Sequence, residues 1–396
     1  MGLGTWDFVR EGLEMVAVGE RFRAARLDSP GVVSIQEYER QPLGPGDLLV
    51  TVDLCGVCGS DVHWVHATPE AQARMTYPMF LGHEWTGTVA ELGERAPRAD
   101  VTGQPLAVGD RVWVKRRSCG RCYFCSVLRH PEACIGRQPL TDADGRRRQV
   151  PGAGFAPVVH LAGNDDLEVI KVPAHVQPRA AVLLEPLTNA LTAVERSMQG
   201  GAPWAGIGYG PGATVVVQGA GPIGALIACV ARLTGADKII LVGAPAGRLA
   251  LVQDVAQVDE TIDIERVPDW EERVRLVRGM TPAGAGADVI YEAAGVPIAF
   301  REALRMVRRF GTIVETGHFT PRKAEPFDPF EICSSSASIY GHYGLSNQAW
   351  VAGARFLGRH AGSFPFERLV TNLYPLSDLE LALENMRKGV DIKPGV

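Results

Sequence analysis

The chain has 396 residues, enough for two domains of ordinary size, and 46% of them are hydrophobic, the proportion of a packed globular protein. Its formal net charge of -5 has the wrong sign for gripping phosphate backbones, which argues against nucleic acid as a partner. No run approaches the ~20 apolar residues of a membrane helix or has the three-part pattern of a signal peptide, so a cytoplasmic protein with no membrane partner is expected.

In chain order, the first twenty residues carry no readable pattern. From Arg21 to Val114 short β-branched runs ("LLVTVDL", "TGTVAEL", "DRVWVK") are separated by turn chemistry ("GPGD", "GERAP", "AVGD"), which predicts an antiparallel β-rich domain. Directly after the first run, "CGVCGSDVH" places Cys55, Cys58, Ser60, Asp61 and His63 within nine positions. His83 and Glu84 follow in "GHE", and Glu185 stands inside the apolar "AVLLEPLTNAL", a costly place for an acid unless it is paired or on a metal. Cysteine, histidine and carboxylate with a water make an open zinc site, although each residue alone has an ordinary packing explanation.

Between these groups, Cys119, Cys122, Cys125 and Cys134 are separated by gaps of two, two and eight residues. Four thiolates in so short a loop reach one tetrahedral ion, and a closed four-sulfur site is structural because it leaves no open position. Eight cysteines crowded in this way point to metal, not disulfides. The basic run Arg146, Arg147 and Arg148 reads as a solvated loop.

From about Leu187 strands alternate with helical stretches ("ATVVVQ", "GALIACVARLTGA", "KIILV", "AGRLALVQDV", "ADVIYEAA", "AFREALRMVRRF", "GTIVETG"), which predicts βαβ units and a parallel sheet. In "GAGPIG", Gly219 allows a tight turn, Gly221 lets the backbone approach a pyrophosphate, and Gly224 lets helix and strand pack closely. Pro222 and Ile223 open the helix between them. The acid expected for the adenosine ribose is missing: Gly243 stands in its place, no Asp or Glu occurs from Lys238 to Gln253, and Arg248 follows, so NADP is as open as NAD.

"CGVCGSDVH", "LGHEWTGTV", "VGDRV", the cysteine loop, "LLEPL", "GAGPIG", "YEAAG" and the closing "IKPGV" occur in the order found in zinc-dependent medium-chain dehydrogenases, and the chain most resembles their polyol and sugar branch over about Arg21 to Val396. The resemblance implies an α/β protein with a GroES-like catalytic domain over 1–186 and 343–396, a structural zinc lobe at 115–136, and a Rossmann domain over 187–342. It implies two zinc ions per chain, NAD or NADP, a small alcohol or carbonyl substrate, and a homodimer or homotetramer.

By the same resemblance Cys58, His83 and Glu185 are ligands of a catalytic zinc, with Glu84 an acid that binds it directly in some members, and Asp61 orients the histidine. Cys55 is then merely packed. The ion acts as a Lewis acid on the alcohol oxygen, while Ser60 and His63 carry the proton away by way of the cofactor ribose. The stretch 200–212 is about ten residues longer than usual; it reads first as a tolerated surface insertion, since loops accept length cheaply, and otherwise its Trp204 and Tyr209 cover the cofactor or meet another subunit. Trp64 and Trp85, beside His63 and Glu84, either wall the substrate pocket or fill the core. A dismutase or carbonyl reductase that retains its cofactor, and a non-catalytic zinc protein, are the competing readings.

Overall fold

The computed structural model describes residues 16–66, 72, 76–116, 118–136, 151–163, 167–199, 209–318 and 325–396. The arginine run 146–148, Trp204 and most of the N-terminal extension lie outside them.

Among the described residues sixteen strands form three sheets. A small antiparallel sheet holds β1 (Arg21–Ser29), β2 (Val32–Glu39) and β4 (Met79–Phe80). The main sheet of the first unit runs β15 (Val370–Leu373), β16 (Lys393–Gly395), β3 (Leu48–Gly56), β5 (Glu84–Leu92), β6 (Arg111–Arg116), β8 (Leu167–Lys171), with β7 (Val158–Leu161) also paired to β3. The third sheet is parallel throughout, in the order β11 (Glu260–Asp263), β10 (Ala236–Gly243), β9 (Ala213–Gln218), β12 (Ala287–Glu292), β13 (Val307–Glu315), β14 (Ser338–Gly341).

Eight helices matter below: α1 (Gly59–Val65), α2 (Leu184–Ser197), α3 (Pro222–Leu233), α4 (Ala246–Ala256), α5 (Trp270–Gly279), α6 (Pro297–Met306), α7 (Asn347–His360) and α8 (Leu379–Arg387). Four of them, α3 to α6, are crossovers from β9 to β13 of the parallel sheet, whose strands are buried on both faces as such sheets require: Val215 and Val217 join one apolar core, Val216 the other. The first of these cores continues without a break into the β-rich unit through Leu54, Leu184 and Leu187. Helix α2 packs on α3 on one side and on α7 on the other, so it ties the two units together.

The chain returns to its start at the C-terminus. Strand β16 lies antiparallel to β3 with Gly395 opposite Gly56, and Cys55 and Val396 exchange both backbone hydrogen bonds, at 3.0 and 2.8 Å. One predicted boundary moves: "AFREALRMVRRF" reads as a single helix, yet α6 ends at Met306 and β13 begins at Val307. Val307 is paired with Ala287, and Arg308 meets Asp288 at 2.6 Å, so pairing with β12 overrides local helical preference.

Candidate active site

Strand β3 delivers "CGVC" to the mouth of a cavity of about 1140 Å³ that runs between the two units. Cys55 stays in the core with no exposure, while Cys58 caps the start of α1 and lines the cavity. The backbone N–H of Cys58 donates to Asp61 Oδ2 at 2.9 Å, and Asp61 Oδ1 lies 3.7 Å from His83 Nδ1. Fully buried, Asp61 also accepts from the Gly82 N–H at 3.4 Å, which ties the helix start to the "GHE" segment and leaves its charge facing the His83 ring. Gly82 has φ +90°, and a Cβ there would meet Cys55 Sγ at 2.8 Å, so only glycine brings His83 this close.

The ligand atoms of Cys58, His83 and Glu84 all lie within 4.8 Å of one another. Thiolate, imidazole and carboxylate on three sides of an open cavity are the donor set of a catalytic zinc, and these residues fit such an ion. Glu84, the first residue of β5, also pairs with Lys393 of β16, whose Nζ donates to Val57 O at 2.8 Å; both side chains are buried. Glu185, in the first turn of α2, lines the same cavity but falls outside that donor cluster. Its Oε1 accepts from Asn189 at 3.0 Å, and burial pushes its carboxyl up to about 7. Ser60 Oγ stands 3.4 Å from His83 Nε2, and His63 lines the cavity one helical turn further on.

The four cysteines of the lobe also converge within 4.8 Å. Cys122 and Cys125 sulfurs are 3.5 Å apart and Cys119 and Cys125 4.0 Å apart. Those spacings bracket the about 3.8 Å that Zn–S bonds of ~2.3 Å subtend in a tetrahedron. Backbone N–H groups of Cys125 and Ile135 hold the Cys122 thiol below its ordinary value, toward the thiolate a metal needs. Gly136 has no room for a side chain, since a Cβ would meet Cys119 Sγ at 2.6 Å.

The glycine turn has the shape a dinucleotide needs. Gly219 has φ +107°, and its missing Cβ would strike Ala293 O at 2.7 Å. A Cβ on Gly224 would collide with Gly219 O, whereas one on Gly221 would meet nothing within 4 Å. Gly221 therefore faces open cavity, and Pro222 and Ile223 line it as α3 begins. Gly243 ends β10 with Ala220 N 2.9 Å from where its Cβ would be.

Other expectations change. Arg248 does not stand free for a 2′-phosphate, because its guanidinium donates to Met386 O at 2.9 Å and to Asp391 O, clamping α4 to the C-terminal segment. Tyr209 does not cover a cofactor: it is buried, with its hydroxyl donating to Ala231 O at 2.7 Å at the end of α3. Of the two tryptophans, Trp85 is core, whereas Trp64 lines the cavity with its ring centroid 5.5 Å from that of His83.

Sequence reasoning passed over Glu292, Glu315 and His318 at the ends of β12 and β13, and His342 after β14. The rule that ligands bind beyond the carboxyl ends of parallel strands would have singled out "YEAAG" and "VETGH". No local signal marks Lys393.

A model of the alcohol dehydrogenase GroES-like domain matches residues 44–174, and a model of the zinc-binding dehydrogenase domain matches 222–359. Among characterised proteins, 5-exo-hydroxycamphor dehydrogenase of Pseudomonas putida is 31% identical over 94% of this chain and 97% of its own. D-xylulose reductase A of Aspergillus niger is 28% identical over 90% and 92%. An alcohol dehydrogenase structure from Thermotoga maritima superposes with a TM-score of 0.78 at 26% identity, over 95% of this chain and 98% of that one. A zinc-binding dehydrogenase from Sinorhizobium meliloti, bound to NADP, gives 0.76 at 27% identity, over 95% and 99%.

Proposed function

The chain belongs to the zinc-dependent medium-chain dehydrogenase/reductase family and moves a hydride between an alcohol and NAD(P), and from that premise we propose that its alcohol is a bulky, largely apolar ring compound with a secondary hydroxyl. The observation that carries this reading is the cavity wall beside the Cys58 cluster. Trp64 leans on His83 there, and Trp113 and Trp350, stacked at 3.5 Å and 15°, line the same cavity. Flat aromatic faces suit a rigid hydrocarbon ring better than a polyol, whose hydroxyls would lose water without gaining partners. The relative named for hydroxycamphor supports the same choice.

In this reading Cys58, His83 and Glu84 would hold the catalytic zinc, Glu185 lines the same cavity as a second acid, and Cys119, Cys122, Cys125 and Cys134 would hold the structural one. When bound, the catalytic ion supplies a Lewis acid that eases loss of the alcohol proton. Ser60 takes that proton and His63 passes it to solvent, Asp61 faces His83 with its charge, Gly219 and Gly221 seat the diphosphate, and Gly224 lets the helix pack against that turn. We further divide the chain into a catalytic unit of 1–186 and 343–396 and a nucleotide unit of 187–342, in line with the sheet each strand joins.

We place the protein in the cytoplasm as a homodimer or homotetramer. All eight cysteines are free, and no described helix is long and apolar enough to cross a membrane. Edge strand β14 offers a side for pairing.

The test is turnover of NAD and NADP, followed by nicotinamide absorbance, against matched cyclic alcohols, linear alcohols, polyols and sugars. Bulky cyclic secondary alcohols should show kcat/KM at least about tenfold above polyols, about 1.4 kcal/mol in transition-state binding, and Trp64→Ala should erase most of that margin. A polyol preferred by the parent enzyme would overturn the substrate assignment while leaving the reaction class intact.

A further inference from the structure

Between the glycine turn of β9 and the Cys58 cluster, the cavity wall is built by the ends of β12 and β13, where Ala293, Gly317 and His318 line it. Two acids stand behind that wall, Glu292 buried and Glu315 half-buried. Glu292 has no exposure, and its Oε1 accepts from the N–H groups of Ala294 and Gly295 at 2.9 and 2.8 Å, which fixes the carboxylate in place. The other oxygen, Oε2, has no hydrogen-bond partner among the described residues and lies 3.4 Å from His318 Nδ1. Glu315 Oε1 approaches the same nitrogen at 2.9 Å. Gly317 leaves the space for this arrangement, since a Cβ there would run into Glu292 Oε2.

Two carboxylates facing one ring nitrogen favour the charged imidazole, and Glu292, then Glu315, push His318 up to about 9 against the opposing effect of burial. With Nδ1 taken, Nε2 is the polar atom left to the partly exposed side of the ring, toward the cavity. The neighbour order β9, β12, β13 puts this donor two strands over from the diphosphate turn, in the cavity that the Cys58 cluster also lines. The unit of a dinucleotide that follows its diphosphate toward that cluster is the nicotinamide-side ribose.

We propose that His318 is a cofactor-binding residue, donating from Nε2 to a hydroxyl of the nicotinamide-side ribose, and that Glu292 and Glu315 are the positioning residues that aim it. This rests on the reading of the cavity as an NAD(P) site. Three probes separate the two ideas: NADH (or NADPH, whichever the parent binds), ADP-ribose, which keeps that ribose but lacks the ring, and ADP, which lacks both. Binding is read by nicotinamide fluorescence for the first and by competition for the others, on the zinc-loaded protein.

In His318→Ala, dissociation constants for the reduced cofactor and for ADP-ribose should rise about tenfold or more, as for a lost charged hydrogen bond, with ADP unchanged within about twofold. Glu315→Gln should reproduce the pattern more weakly, and His318→Gln, which keeps an N–H donor, should recover part of the loss. An effect on the reduced cofactor without one on ADP-ribose would overturn the proposal, as would equal weakening of ADP. So would a third metal ion per chain that disappears in Glu315→Gln, since the same three side chains bring ligand atoms within 4.8 Å. Failure of the parent itself to bind ADP would instead remove the nucleotide reading.

Discussion

His318 and His342 end neighbouring strands of one sheet, yet their surroundings drive them in opposite directions. His342 is buried with neither ring nitrogen hydrogen-bonded among the described residues, and burial, then the charge of Arg196, pushes it down to about 4. A histidine kept neutral in this way contributes stability that is present above its ordinary value of 6.5 and is lost as pH falls toward about 4. His318, facing Glu292 and Glu315, contributes stability that is present below 6.5 and lost as pH rises through about 9. Glu315, held up at about 7 by burial and by Glu292, adds a loss in the same direction between 4.5 and about 7. Thermal midpoints of the zinc-loaded protein should therefore fall less between pH 7 and 4.5 in His342→Gln, and less between pH 7 and 9.5 in His318→Gln, than in the parent. Parallel curves for all three proteins would refute both assignments. The buried Lys393 and Glu84 pair belongs to this scale too: in the zinc-free protein Lys393→Met leaves an uncompensated acid and should cost about 3–5 kcal/mol in denaturant unfolding. A loss below about 1 kcal/mol would mean that Glu84 finds its counter-charge elsewhere.

The join of β9 to α3 separates a glycine needed by the fold from one needed by a ligand. Gly224→Ala pushes a methyl into Gly219 O and should destabilise the protein by about 1–3 kcal/mol through overpacking. Gly221 has φ -90°, within reach of any residue, and open space beyond. Gly221→Ala should leave the unfolding midpoint nearly unchanged while weakening the binding of NAD(P)H; a protein that loses stability but keeps its cofactor affinity would contradict this division of labour. The pattern of glycines was legible along the chain because the turn, strand and helix are contiguous. The start of β13 at Val307 was not, since pairing with Ala287 and the Arg308–Asp288 contact decide it from twenty residues away.

For the molecule as a whole, the claim open to direct count is the metal content. Elemental analysis should find two zinc ions per chain. Cys58→Ala should remove one together with activity and leave the melting temperature within a few degrees, because the open site is held by an already packed frame. Cys122→Ser should remove the other and loosen the lobe, which is short of other core. Loss of folding in Cys58→Ala would show that the catalytic and structural roles are assigned the wrong way round. What the linear chain determined is whatever short spacing can express: the four-cysteine lobe, the glycine turn, the β-rich and alternating halves, and the Cys58, Ser60, Asp61 group. What only the tertiary structure decided is every partnership across long separations: Glu84 with Lys393, Arg248 with the C-terminal carbonyls, Tyr209 with α3, Trp85 inside and Trp64 in the wall, and His318 between two strand-end acids. Spacing along the backbone limits which neighbours can meet, but burial, which chooses among distant ones and sets their charge, is a property of the packed whole.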